Sequence, residues 1–336
     1  MKVQELQVKA VTPAMGFPGG EVAIECQGFR PGLPSSSRVL LGDKEAAIVS
    51  ASEDRLMVRL PDSPDAPGIS LRVENTLSAV FPFTLGACLV TGLHPVTSPV
   101  VAPNGSVITT ISGTRGQQIA QPLVRISREG EAERLNCEIT NPTGLAFGPD
   151  GQLYVSSRND GVVFRYTGFD HLDVVAEDLG IASGIAFDSR GRLYVGDRSG
   201  KIFRIGASGA REEFASLEPS VSAYHLCMDA ADRLYVTGPT LAVRDSLYRV
   251  SDGGCVEVLL RGLARPQGLA ALPDGNILLA TGYAGKKGVF KIDPATGAIE
   301  HYIAGPTLVG VALADGEVVV ADNTSVYRIR PPSPTG

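Results

Sequence analysis

Two stretches decide the fold: NPTGLAFGPDGQLYVSSRNDGVVFRY (Asn141–Tyr166) and IASGIAFDSRGRLYVGDRSGKIFRI (Ile181–Ile205). They are two copies of one pattern, and internal repetition at this period signals a repeat architecture. Each has an apolar strand, such as Thr143–Phe147, then a turn ending in Gly (Asp150-Gly151, Arg190-Gly191), then Leu-Tyr-Val, then an aromatic-Arg-apolar triplet. Working outward, the second-strand signature recurs at Val107, Leu153, Leu193, Leu234, Ile277 and Val318, at spacings of 46, 40, 41, 43 and 41 residues. A basic residue between two apolar ones follows every time, at Arg125, Arg165, Arg204, Arg249, Lys291 and Arg328. Six units of about 40 residues with four strands each predict a six-bladed β-propeller. The hairpin Gly positions (Gly105, Gly151, Gly191, Gly275, Gly316) predict a positive φ, which a two-residue turn demands.

The last unit has too little chain after Ile329 for a fourth strand, while Cys88–Gly92 precedes the first unit as a strand without a partner. The expectation is that Cys88–Gly92 completes the last blade, removing an exposed edge. The propeller is therefore read as residues 87–330, with residues 331–336 as a tail. Upstream, Val22–Cys26, Arg38–Leu41, Arg55–Leu60, Ile69–Val73 and Val80–Leu85 read as short strands separated by Gly and Pro turns, which predicts a β-sandwich over residues 1–86. The fold class is thus all-β: an immunoglobulin-like β-sandwich followed by a six-bladed β-propeller closed by a strand preceding the first blade.

Composition narrows the function. A net charge of −6 lacks the basic footprint of a nucleic-acid binder. No stretch approaches the ~20 apolar residues of a membrane span. The opening Met1-Lys2-Val3-Gln4-Glu5 lacks the apolar run of a signal peptide. The chain is read as cytoplasmic as written, exported if a signal peptide was trimmed, and monomeric. Cys26, Cys88, Cys137, Cys227 and Cys255 are odd in number and widely spaced, which argues against a disulfide framework or a Cys-rich zinc site and for small buried apolar roles. GxSxG, HExxH and EF-hand patterns are absent. Gly282–Gly288 (GYAGKKG) has the wrong spacing for a phosphate loop and reads as a long hairpin loop.

VTPAMGFPGGEVAIECQGF (Val11–Phe29) and VLLGDKEAAIVSASEDRLMVRLP (Val39–Pro61) resemble an IPT/TIG domain. The resemblance implies an immunoglobulin-like fold that serves as a spacer or interaction module. The repeats resemble NHL repeats and the six blades of the gluconolactonase/senescence-marker family. That family implies one divalent cation at the channel mouth, held by a Glu of the first inner strand with Asn and Asp from later ones.

Repeat phase locates the equivalent positions. The residues before the inner-strand glycines are Thr97, Thr143, Ser183, Tyr224, Gln267 and Val309. The family's Glu-Gly-Pro corresponds to Thr97-Ser98-Pro99, its Pro-Asp-Gly to Pro266-Gln267-Gly268, and its Asn-Gly to Ser183-Gly184 or Tyr224-His225. No carboxylate stands on that ring, and a hard cation needs charged oxygen ligands. His225 replaces the Gly found at Gly144, Gly184, Gly268 and Gly310. The candidate ligand-facing patch is Asn141, Thr143, Ser183, Tyr224, His225, Arg265 and Gln267, suited to a small polar ligand or anion. Asp160, Asp197 and Asp322 read as turn carboxylates accepting backbone N–H bonds, the last two matching the Asp of the NHL pattern. The six basic residues of the third strands read as solvated and paired with nearby acids.

The favoured reading is a non-catalytic binding or scaffold protein whose propeller face takes a protein or a small polar ligand. One alternative is a metal-dependent lactonase-type hydrolase with a rearranged site, using Ca²⁺, Mg²⁺ or Zn²⁺. The other is an exported glycan-binding protein. No cofactor is expected unless the hydrolase reading holds, and no catalytic residue is assigned.

Overall fold

The computed structural model describes residues 5–32, 36–62, 68–112, 119–168, 171–206 and 208–332. Every element among them is a β-strand, and no helix is long and apolar enough to cross a membrane.

The N-terminal domain is a sandwich in strand order Gln7–Thr12, Glu21–Gln27, Arg55–Arg59, Lys44–Ala51, Ser37–Leu41, Gly68–Val73 and Thr76–Leu77. Lys44–Ala51 passes from one sheet to the other. Its first residues pair with Val39–Leu41 and its last with Leu56–Arg59. The alternating apolar positions read from the sequence point inward, and Val22, Ile24, Val39, Leu41, Leu56, Val58 and Leu71 are buried in one core.

After the sandwich, the chain folds into propeller-like blades. Four of them stand as separate four-stranded sheets, not the six expected from the repeats. The strands of the fourth and fifth repeat units run together in a nine-stranded sheet because one strand, Val256–Ala271, serves both. Its first half, through Leu263, pairs with Asp245–Val250, and its second half, from Ala264, pairs with Ile277–Tyr283. The strand bends at Gly262 (φ 89°) and shifts register around Ala264–Leu269, yet its ladder continues, so Pro266-Gln267-Gly268 is not a break. The strand Ala87–Thr91 pairs antiparallel with Ser325–Ile329, so the segment ahead of the first unit supplies the outer strand of the last blade.

The repeat signatures have physical causes. In the blade of Ala182–Phe187, Asp188 at the hairpin accepts from Arg192 Nε (2.6 Å) and from the Tyr194 hydroxyl (3.2 Å). The next blade repeats this with Asp229, Arg233 Nε (2.6 Å) and Tyr235 (3.2 Å). The Tyr of Leu-Tyr-Val is therefore packed along its ring and tied at its tip to the turn that precedes it. Gly105, Gly151, Gly191, Gly275 and Gly316 all have positive φ, and Asp232 takes the same conformation (φ 58°) in the unit without that Gly. The third-strand cations pair as expected, for example Arg165 with Asp173 (2.6 Å) and Arg249 with Glu257 (2.6 Å).

Gly282–Gly288 is a tight hairpin, not a long loop. Ladder pairing continues through Thr281↔Gly288, Gly282↔Lys287 and Tyr283↔Lys286, leaving Ala284 (φ 48°) and Gly285 (φ 79°) as a two-residue turn. Cys26 and Cys137 are buried and Cys227 is half-buried, whereas Cys88 and Cys255 are exposed. All five are free thiols, so the buried apolar role holds for some and not for those two.

The sandwich is joined to the blades through its strand Met15–Gly16. This strand lies parallel to Thr84–Leu85 on one side and to Ala304 on the other. The Phe17 N–H donates to the Ala304 carbonyl (2.8 Å), and its ring is wholly buried among blade residues, 5.6 Å from the Tyr327 ring. Full burial of such a side chain stabilises by about 1.5–3 kcal/mol.

Candidate functional site

The inner strands approach one another most closely at the repeat glycines. A Cβ on Gly184 would lie 2.9 Å from the His225 Cα, on Gly268 2.8 Å from the Gly310 Cα, and on Gly310 2.1 Å from the Ser98 Cα. Backbone therefore meets backbone there, and only glycine fits. Hydrogen bonds lock the same level. Ser156 Oγ donates to the Ser183 carbonyl (2.5 Å) and Ser183 Oγ to the Gly196 carbonyl (2.7 Å), while the Tyr224 N–H donates to Ser183 Oγ (3.1 Å).

Next to this level lies a cavity of about 300 Å³. Most of its lining residues are apolar, including Leu145, Phe147, Ile185, Met228, Leu269 and Leu313 from successive inner strands, but the surface they expose to it is about as polar as apolar. Its polar side chains are His225 and Ser98. His225 is 7% exposed, with the Gln267 side chain close enough to act on its imidazole. Burial pushes the imidazole pKa down to about 4, against the smaller upward pull of Gln267, so the ring is neutral at pH 7. Ser98 Oγ is buried without a hydrogen-bond partner, and such an unpaired group costs free energy until something fills it.

The seven sequence-predicted residues separate into groups. His225 lines the cavity and Gln267 contacts it. Ser183 and Tyr224 turn into the protein. Ser183 is tied to the backbone as above, and the fully buried Tyr224 donates its hydroxyl to the Glu218 carbonyl, with burial raising its pKa well above the ordinary phenol range. Thr143 donates to the carbonyl of the exposed Asn141 (3.2 Å). Arg265 is exposed, and its N–H donates to Asp245 (3.3 Å). Asn141 and Arg265 both stand before a proline in the left-handed region (φ 47° and 50°).

Nearby carboxylates serve the loops. Asp197 accepts from the Ile181 N–H (2.8 Å), Asp245 from the Thr240 N–H (2.8 Å), and Asp322 from the N–H groups of Thr324 and Ser325 (both 2.7 Å). Asp160 accepts from the Ser157 hydroxyl (2.7 Å). Among the described residues, no group of three or more His, Cys, Asp or Glu is arranged to hold a metal ion.

Sequence reasoning passed over two features. Ser98 was visible as the residue of Thr97-Ser98-Pro99 that shares the phase of the glycines. The loop containing Leu241 (90% exposed) and Val243 (97% exposed) carried no signal, because apolar residues in sequence read as strand rather than surface.

The IPT/TIG domain family model matches residues 6–84. The sandwich is an IPT/TIG domain. A second family model, strictosidine synthase-like N-terminal, matches residues 184–205, within the blades that follow the IPT/TIG domain. No curated protein matches the chain. Among solved structures, an auxiliary nutrient binding protein from Bacteroides ovatus is similar at 13% identity and TM-score 0.57, covering 98% of both chains. A putative gluconolactonase is similar at 16% identity and TM-score 0.58, covering 73% of this chain and 91% of that one. A catalytically inactive virginiamycin B lyase from Staphylococcus aureus, bound to quinupristin, is similar at 15% identity and TM-score 0.52, covering 98% of this chain and 100% of that one. At these identities the likeness is one of fold, and fold does not fix function.

Proposed function

We propose that the chain is a non-catalytic binding protein that holds a small uncharged ligand in the cavity at His225. In this reading its blades form a ring of six, with Val256–Ala271 divided between two of them. Contacts between inner strands support that ring. Pro142–Phe147 touches Ala182–Phe187, which touches His225–Met228, then Val256–Ala271, Leu308–Ala314 and Val100–Val101, which touches Pro142–Phe147 again. The observation that carries the function is the lining: mainly apolar residues, no charged side chain, and the neutral His225 imidazole beside Gln267. Such a site suits a ligand with an apolar body and a hydroxyl or carbonyl head. The fold shared with nutrient-binding proteins of the same two-domain extent supports ligand binding as the task.

The lactonase reading keeps one supporting observation, a neutral imidazole in a cavity lined in part by Ser98. The test is thermal unfolding of the full chain against a panel of uncharged sugars, polyols and lactones, with EDTA or with Ca²⁺, Mg²⁺ or Zn²⁺. A ligand at a hundred times its Kd stabilises by about 2.7 kcal/mol. The proposal expects an upward shift from an uncharged ligand, independent of metal and lost in His225→Ala. Metal-dependent lactone hydrolysis would replace it with the hydrolase reading.

A further inference from the structure

A second cavity, of about 340 Å³, lies between the IPT/TIG domain and the blades. Glu21 and Arg59 line it from the sandwich, and Lys286, Lys287 and His301 from the blade edge. Its walls are fixed relative to one another. A Cβ on Gly20 would lie 2.7 Å from the Ala304 carbonyl carbon, so the two backbones touch beside it. The Gly305 N–H donates to the Lys287 carbonyl (3.2 Å), and Gly19 and Leu60 are bonded within the sandwich wall (2.9 Å). A cleft held open by packed backbone spends little free energy on ordering when a ligand enters, and domain interfaces are favoured places for ligand sites.

The lining is cationic in a chain whose net charge is −6. Arg59 and Glu21 match each other at 2.8 Å, which leaves the Lys286 charge unopposed within the lining. Lys286 is a strand residue on the same face as Phe290 and its cross-strand partner His301, whereas the neighbouring Lys287 projects to the opposite face and offers the cleft its carbonyl. His301 adds a different group. Its ring stacks on Phe290 (centroids 4.8 Å apart), and its Nε2 lies 2.9 Å from the Lys287 carbonyl oxygen. A carbonyl can only accept, so Nε2 carries the proton and Nδ1 is left as a bare acceptor. That Nδ1 is buried without a partner.

We propose that this cleft binds a small hydroxy-carboxylate, its carboxylate against Lys286 and its hydroxyl donating to His301 Nδ1. The proposal does not depend on the function assigned to the His225 cavity. It is tested by calorimetric titration of the full chain with glycerate, with propionate as the carboxylate lacking the hydroxyl, and with inorganic phosphate. Glycerate is expected to bind saturably and at least tenfold more tightly than either other anion. The variant K286E, changed at an exposed position that leaves the core intact, is expected to weaken glycerate at least tenfold. His301→Phe keeps the stacking on Phe290 and is expected to remove the advantage of glycerate over propionate. His225→Ala is expected to leave all three titrations unchanged. The proposal is overturned if glycerate gives no saturable heat, if K286E binds it as the parent does, or if His225→Ala abolishes it. Phosphate binding as tightly as glycerate would likewise overturn the hydroxy-carboxylate assignment.

Discussion

The protein contains two half-hidden imidazoles beside two cavities of similar size, and they are held differently. His225 lies among mainly apolar side chains beside Gln267, whereas His301 stacks on Phe290 and bonds the carbonyl of Lys287 on the face that carries Lys286. Burial pushes both pKa values down to about 4. The comparison shows that the titration of a buried group reports its desolvation, while the chemistry it can offer a ligand is set by its neighbours. It also separates two kinds of contact: inner strands that touch at glycines around one cavity, and a domain seam anchored by Phe17 beside the other.

The strongest way to break the comparison is to loosen the seam. Phe17→Ala is expected to cost about 3–5 kcal/mol in urea unfolding, as for other buried Phe truncations. It should weaken anion binding between the domains more than ligand binding at His225. Equal losses at both sites would mean that the two cavities are one cooperative unit. Gly310→Ala tests the other contact. Its Cβ would stand 2.1 Å from the Ser98 Cα, and forcing backbone apart in a packed interior costs about 1–3 kcal/mol. Here the His225 cavity should suffer and the cleft should not.

Acidity should act on both imidazoles alike. Their folded pKa values lie below the unfolded value of 6.5, so between pH 6.5 and 4 the unfolded chain binds more protons and stability falls as pH falls. The carboxylates with lowered pKa values, such as Asp173 and Asp274, add their loss only below the ordinary Asp value of 3.8. His225→Gln or His301→Gln should each flatten the slope of stability against pH in that window by about one proton. Urea midpoints at half-unit pH steps would measure it, and an unchanged slope would mean that the replaced ring is not buried in solution. The smallest effect is expected far from either cavity. Arg249→Ala removes an exposed pair with Glu257 and should cost less than about 1 kcal/mol.

The blades were legible because their chemistry repeats. The Asp–Arg–Tyr ties at the hairpins and the cation–carboxylate pairs on the third strands each impose a residue type at a fixed phase. The fusion of two blades along Val256–Ala271 was not legible, because a segment containing Gly262, Pro266 and Gly268 reads as broken, and only cross-strand pairing shows that it continues. The same blindness made Gly282–Gly288 look like a loop. His225 could be singled out because it interrupts a run of glycines. The inward turn of Ser183 and Tyr224 could not, since sequence phase gives height along a strand but not the direction of a side chain. The interdomain cleft was invisible for a further reason. It is made by residues more than two hundred positions apart whose meeting depends on how Met15–Gly16 lies against Ala304.

The pairing of Ala87–Thr91 with Ser325–Ile329 also sets a timetable for synthesis. The early strand leaves the ribosome about 240 residues before its partner, a wait of roughly ten to fifty seconds at ordinary elongation rates. Throughout that interval the IPT/TIG domain has all its own strands, whereas Phe17 and the strand after Gly86 have nowhere to dock. The nascent chain therefore carries a finished module next to an unsatisfied edge until Ser325–Ile329 emerges to cover it.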